Sequence, residues 1–186
     1  MNVARLNFSH GTHAERERKI ELVKRVRQKL GLPIAIMLDT KGPEYRIGTF
    51  ASGKVEIKTG DSFSFTTQDV AGDETKVSVN YKNLHKDLKP GNTVTVNNGI
   101  VRFEVESIEG TEIHCKCLAG GTLSDRKSMS FPNKVMSGPY ISQQDRSDIL
   151  FGIAPGGDYV AASFVSTQPD VLDIRKLLDE NGGEDI

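Results

Sequence analysis

The period of hydrophobic and polar positions changes twice along the chain, near residue 44 and near residue 138. Before the first change, strand and helix patterns alternate. Residues 3–8 read as a short strand, and Ser9-His10-Gly11-Thr12 breaks it. Over 14–29, Ile20, Val23, Val26 and the adjoining Leu30 recur at helical spacing among Glu, Arg and Lys. That spacing predicts an amphipathic helix with those four on its buried face. Gly31 and Pro33 stop it. Residues 33–38, Pro-Ile-Ala-Ile-Met-Leu, form a continuous apolar run. This is the pattern of a strand covered on both faces in a parallel sheet.

Between the two changes the strands are short and alternating, at 54–58, 62–66, 76–80, 93–96, 100–106 and 112–118. Gly, Pro, Asn and Asp punctuate them. Asn98-Gly99 predicts a tight hairpin turn of type I′, which needs positive φ at both central residues. Regular short strands of this kind predict a small all-β barrel or sandwich. Beyond residue 138 the helical period returns. Ser142 and Asp145 resemble a capping box opening a helix that runs to about Phe151. Residues 158–165 form an apolar strand, and Val171, Ile174, Leu177 and Leu178 mark a last helix before Gly182-Gly183. The order is βαβ, an all-β insertion, then αβα.

Composition narrows the partners. With 37% hydrophobic and 26% charged residues, the chain has the composition of a folded domain. A net charge of −1 argues against a duplex nucleic-acid partner, because phosphate neutralisation takes a surplus of Lys and Arg. The longest apolar runs, 34–38 and 159–162, are far short of the roughly 20 residues that span a bilayer. No apolar signal segment follows Met1. Cys115 and Cys117 are two apart and share one face of a strand, where a disulfide would be strained. They read as reduced thiols of a cytosolic protein. A metal pair with His114 is the alternative, without a second ligand cluster beside it.

Parallel α/β folds bind ligands beyond the carboxyl ends of their strands. At those ends stand Arg5, Asn7, Ser9 and His10, then Asp39, Thr40, Lys41 and Arg46, then Ser163. Arginine forks suit phosphate or carboxylate. Asp, Asn, Ser and Thr oxygens suit a hard cation. The ordinary alternative for each is a cap, a turn former or a solvated side chain, His10 and Lys127 included.

Three motifs carry a family resemblance. Residues 1–11, Met-Asn-Val-Ala-Arg-Leu-Asn-Phe-Ser-His-Gly, resemble the first signature of the pyruvate kinase family. Residues 38–46, Leu-Asp-Thr-Lys-Gly-Pro-Glu-Tyr-Arg, resemble the second, and 160–165, Val-Ala-Ala-Ser-Phe-Val, a later barrel strand. Their order and approximate spacing are the family's. The resemblance implies an α/β plus all-β fold: a partial (β/α)8 TIM barrel formed by residues 1–43 and 138–186, with a small β-barrel lid domain inserted over 44–137. It implies a glycolytic phosphotransferase of the cytoplasm that moves phosphate from phosphoenolpyruvate to ADP, giving pyruvate and ATP, with Mg²⁺ and K⁺, and that forms homo-oligomers.

Carried onto this chain, Arg5 would bind the transferred phosphate. Asn7, Ser9, Asp39 and Thr40 would hold K⁺, and Glu44 goes with K⁺ dependence. Arg46 and Lys127 would contact nucleotide phosphates, with His10 close by. Such roles suit phosphoryl transfer, which is mostly positioning and cationic stabilisation. The family's first barrel strand would precede Met1, and its catalytic lysine and Mg²⁺ carboxylates would follow Ile186. No catalytic residue is therefore assigned within the chain, which is expected to be inactive alone and to self-associate through open strands. Asn97-Asn98 stand where the family usually has two aspartates, and Ser128-Met129-Ser130-Phe131-Pro132 replaces Gly-Val-Asn-Leu-Pro. The alternative reading is a non-catalytic piece or lid module that binds nucleotide or anions weakly.

Overall fold

The computed structural model describes residues 1–186. The first segment forms β1 (Val3–Asn7), α1 (His13–Leu30) and β2 (Ala35–Asp39). The middle forms β3 (Lys54–Ile57), β4 (Ser62–Thr66), β5 (Lys76–Ser78), α2 (Leu84–Asp87), β6 (Thr93–Val96), β7 (Val101–Glu109), β8 (Glu112–Ala119), β9 (Gly121–Ser124) and β10 (Met129–Ser130). The last segment forms α3 (Gln143–Ile153), β11 (Tyr159–Ala161) and α4 (Gln168–Asp179). Two compact units result: Met1–Pro43 with Pro139–Ile186, and Glu44–Gly138.

The first unit holds a three-stranded parallel sheet in the order β1-β2-β11. Its register sets Arg5 beside Met37, Asn7 beside Asp39, and Ala161 on the other side of Asp39. Apolar Ile36 and Leu38 of β2 are buried with Phe8 and Ile20 of α1. A second cluster packs Ile149 of α3 against Ile174, Leu177 and Leu178 of α4. Thr12 caps α1 in a reciprocal box with Glu15, and Thr167 caps α4 in the same way with Asp170.

The predicted buried face of α1 is only partly buried. Ile20 is fully covered and Val23 half-buried, while Val26 and Leu30 are exposed. The reason is phase: the stripe that faces inward is Arg16, Ile20, Val23 and Arg27, and Arg27 in the last turns donates to Ile34 O at 2.8 Å and to Asp158 Oδ2 at 3.1 Å, just ahead of β2 and β11. The apolar strand expected over 158–165 is shorter, ending at Ala161. Ser142 does accept the Asp145 N–H, but the Asp145 carboxylate takes the Ser142 hydroxyl and the Gly42 N–H rather than closing a box.

The second unit is all-β apart from the one-turn α2. Its six-stranded sheet runs β10-β6-β7-β8-β4-β5, and β3 pairs with β9. Residues 45–48 bond both edges of the larger sheet: Met129 N–H donates to Tyr45 O and Ile47 N–H to Lys127 O, while Gly48 N–H donates to Ser78 O and Asn80 N–H to Arg46 O. Phe63, Phe65 and Phe103 pack at the centre, with ring centroids 5.2–5.5 Å apart. The predicted two-residue turn at Asn98-Gly99 is instead a four-residue loop. Val96 and Val101 are the last register pair, both fully buried, so residues 97–100 must all lie in the connection. Asn97, Asn98 and Gly99 all take positive φ.

Candidate functional site

The carboxyl ends of β1 and β2 bring four of the candidate residues together. Asp39, the last residue of β2, is 8% exposed. Its Oδ2 accepts from Arg5 Nε at 2.9 Å and from a second guanidinium nitrogen. Its Oδ1 accepts from the Ser163 hydroxyl at 3.2 Å. The arginine fork thus gives one oxygen of this buried side chain two charge-assisted donors. The Arg5 side chain is 58% exposed, so its cation still faces solvent. Alternation along β1 places Arg5 and Asn7 on one face.

Asn7 lies opposite Asp39 in the parallel register, and its Oδ1 accepts the Ser9 N–H at 2.7 Å. That bond turns the chain sharply after β1 and leaves Ser9 and His10 exposed on the loop. Thr40 is buried. Its N–H and hydroxyl both donate to Ala161 O, and its hydroxyl accepts from Ser163 N–H. Gly42 follows at φ 66, and a β-carbon there would press on the Ser163 carbonyl oxygen. Tyr140 donates to that same oxygen at 2.8 Å. Burial, with Asp170 and Asp145 adding to it, pushes the Tyr140 phenol up to about 12, so it remains a donor.

Arg46 and Lys127 belong to the other unit. Arg46 forms an ion pair with Glu44 and donates to Arg126 O at 2.6 Å. The hydrogen bond to Glu44 raises the arginine further above its ordinary value. Arg46 bridges to Ser128, the neighbour of Lys127. Lys127 is half-buried and carries no ion pair, while its carbonyl accepts the Ile47 N–H. Cys115 and Cys117 are buried free thiols facing the core. His114 points to the opposite side of β8 and bonds Ser64 through Nδ1, so the three do not form a metal pair.

Two supporting residues, Arg16 and Asp148, escape the sequence reading, and a third, Asp145, is read there only as part of a helix cap. Asp145 and Asp148 are almost fully buried on α3, and Arg16 is buried on α1. Residues 145, 148, 149 and 152 recur at helical spacing, so two carboxylates in a stripe with Ile149 and Gly152 were the available signal. Arg16 carries no such mark within a helix rich in charge.

A parallel sheet whose strand ends gather an arginine and several oxygen-bearing side chains, with an all-β unit inserted in the chain, defines an α/β protein with an all-β insertion. The profile of the pyruvate kinase barrel domain matches residues 1–186, and the chain belongs to the pyruvate kinase family. It is 46% identical over its full length to a pyruvate kinase of Clostridium perfringens and 47% identical to one of Clostridium acetobutylicum. It spans 40% of the length of each of these relatives. The crystal structure of a pyruvate kinase from Cryptosporidium parvum superimposes with a TM-score of 0.91 at 34% identity, over 98% of this chain and 39% of that one.

Proposed function

We propose that the first unit is part of a (β/α)8 barrel carrying the phosphoenolpyruvate phosphate and K⁺ ends of a pyruvate kinase site, and that the second is its β-barrel lid. The observation that carries this reading is the meeting of Arg5, Asn7 and Asp39 at the carboxyl ends of adjacent parallel strands. Arg5 offers a solvent-facing guanidinium to a phosphate. Asn7, Ser9, Asp39 and Thr40 offer only oxygen donors, the chemistry a hard monovalent ion takes. These residues fit K⁺, which would supply fixed positive charge beside the transferred phosphate. In the second unit Arg46 and Lys127 would offer charge to the phosphates of ADP or ATP, with His10 near the nucleotide. The protein would act in the cytoplasm as a homo-oligomer.

Mg²⁺ is a different matter. No three His, Cys, Asp or Glu side chains gather anywhere in residues 1–186, so these residues do not fit a divalent site and no step through Mg²⁺ is drawn from them. Groups that act as a unit fail together when some are missing. The 186-residue chain by itself is therefore expected to bind but not to turn over.

The test couples pyruvate to NADH oxidation with K⁺ and Mg²⁺ present, on protein free of host enzyme. No rate is expected, and a rate abolished by Arg5→Ala would overturn the proposed inactivity. A phosphoenolpyruvate titration followed at the Arg5 Nε–H resonance tests the phosphate role. A saturable shift is expected, and its absence would remove Arg5 from that role.

A further inference from the structure

Helix α3 carries two buried carboxylates three residues apart, Asp145 at 3% exposure and Asp148 at 1%. Asp145 reaches a loop of the strand-end cluster directly, and Asp148 reaches another through Arg16 of α1. Asp145 Oδ1 accepts the Gly42 N–H at 3.0 Å, fixing the segment that follows Asp39 and Thr40. Asp148 Oδ1 lies 2.6 Å from His13 Nε2 and 3.6 Å from Arg16 Nη1, and accepts from Gln144 Nε2 at 3.0 Å. Arg16 then donates from Nη2 to the carbonyls of both Phe8 and His10, at 2.8 Å each. Those carbonyls flank Ser9 in the loop between β1 and α1. The guanidinium carbon sits 4.2 Å from the centroid of the Phe8 ring, and the His13 ring stacks on Phe151 of α3 at 4.3 Å.

This cluster is poorly arranged for stability. Burying charge is costly, and apolar residues of similar volume would serve a core at least as well. Arg16 Nε and Asp148 Oδ2 are buried with no hydrogen-bond partner, a further cost. What the arrangement does accomplish is to tie two loop backbones to one rigid helix.

We propose that Asp145 and Asp148 are positioning residues. Asp148 acts through Arg16 and His13 to set the loop bearing Ser9 and His10, and Asp145 sets the end of the Asp39–Thr40 segment, so that α3 holds the oxygen donors of both strands in register. This inference rests on the K⁺ and phosphate reading above.

The test uses the full chain and a double variant, Arg16→Met with Asp148→Leu, which removes both buried charges together. Amide exchange at Phe8 and Ser9 reports the loop, since these N–H groups donate to Asp39 O and Asn7 Oδ1. K⁺ titration at constant ionic strength, followed at the Asn7 side-chain amide, reports the donors. The double variant is expected to keep its circular dichroism and cooperative melt, to exchange faster at Phe8 and Ser9, and to bind K⁺ roughly 10–100-fold more weakly, as when the support behind a metal ligand is removed. Unchanged exchange and affinity in the folded variant would overturn the inference. If the unaltered chain shows no K⁺ response, the K⁺ reading falls, and exchange at Phe8 and Ser9 alone decides the positioning. If the double variant does not fold, Asp145 decides. Gly42 exchange should accelerate in Asp145→Ala and recover in Asp145→Asn, whose amide oxygen still accepts. Equal exchange in the two would overturn it.

Discussion

At Asp39 one carboxylate oxygen meets Arg5 and the other meets Ser163, with the whole residue nearly out of water. Arg5→Ala would leave that charge without its cation. The arginine is more than half exposed, so screening limits the loss to about 1 kcal/mol, read as a lowered urea midpoint. Gly152 behaves differently because nothing polar is involved. A β-carbon at this position of α3 would run into Leu38 of β2, so helix and strand approach closely there. Gly152→Ala is expected to cost roughly 1–3 kcal/mol by overpacking, despite the better helix propensity of alanine. Denaturant unfolding of the two chains measures it. Cys115 gives a chemical readout. Burial, with Glu106 a smaller contributor, lifts its thiol from an ordinary 9.0 to about 12. The thiolate is the nucleophile, so iodoacetamide at pH 8 should leave native Cys115 unmodified and alkylate it promptly in urea, as mass spectrometry would show. A folded value above the unfolded one stabilises fully below pH 9 and is lost as pH rises towards 12.

Among the elements, α1 shows best where a start signal lay hidden. Ser9 to Thr12 reads as a simple break, yet Thr12 and Glu15 form a reciprocal cap that opens the helix at His13. Thr12→Ala should cost about 1 kcal/mol in the thermal melt of the first unit. Hydrogen bonds from Thr12 hold the Glu15 carboxyl below its ordinary 4.5. Its contribution is therefore present above that pH and fades as acid is added. Strands with strong alternation were read closely: β4 and β6 fall at the expected residues, and β8 differs by one. The strands β9 and β10 were not read, nor was the one-turn α2. Each of the three carries a single apolar residue, too few to show a period, and the two strands exist because β3 and β6 offer backbone partners. At the candidate site the residue types were legible from motif order, whereas the supports Arg16, Asp145 and Asp148 were not. Their roles depend on which loop each side chain reaches.

For the molecule as a whole, the two units differ in how they satisfy their sheets. In the second, residues 45–48 join both edges of the six-stranded sheet around a large contiguous core. In the first, β1 and β11 are each paired on one side only, and Val3, Tyr159, Val171 and Leu172 are exposed. Free strand edges invite pairing with another chain. Amide exchange should therefore show its deepest protection within residues 44–138, and uniform protection would contradict that. Sedimentation should show concentration-dependent association accompanied by binding of an apolar dye. A strictly monomeric species without dye binding would count against it.

The sequence by itself determined the kinds of element and much of their extent, because helix and strand place apolar residues at different periods and glycine, proline and asparagine interrupt both. It also determined, through contiguous motifs, which residues to suspect at the strand ends. Only the tertiary structure decided that Arg5 pairs with Asp39, 34 positions away, and that Asp145 bonds Gly42 across 103. Such contacts follow from strand register and from the angle at which α3 meets the sheet. Neither leaves a trace in local spacing, since one residue of slip would turn every side chain of a strand to the opposite face.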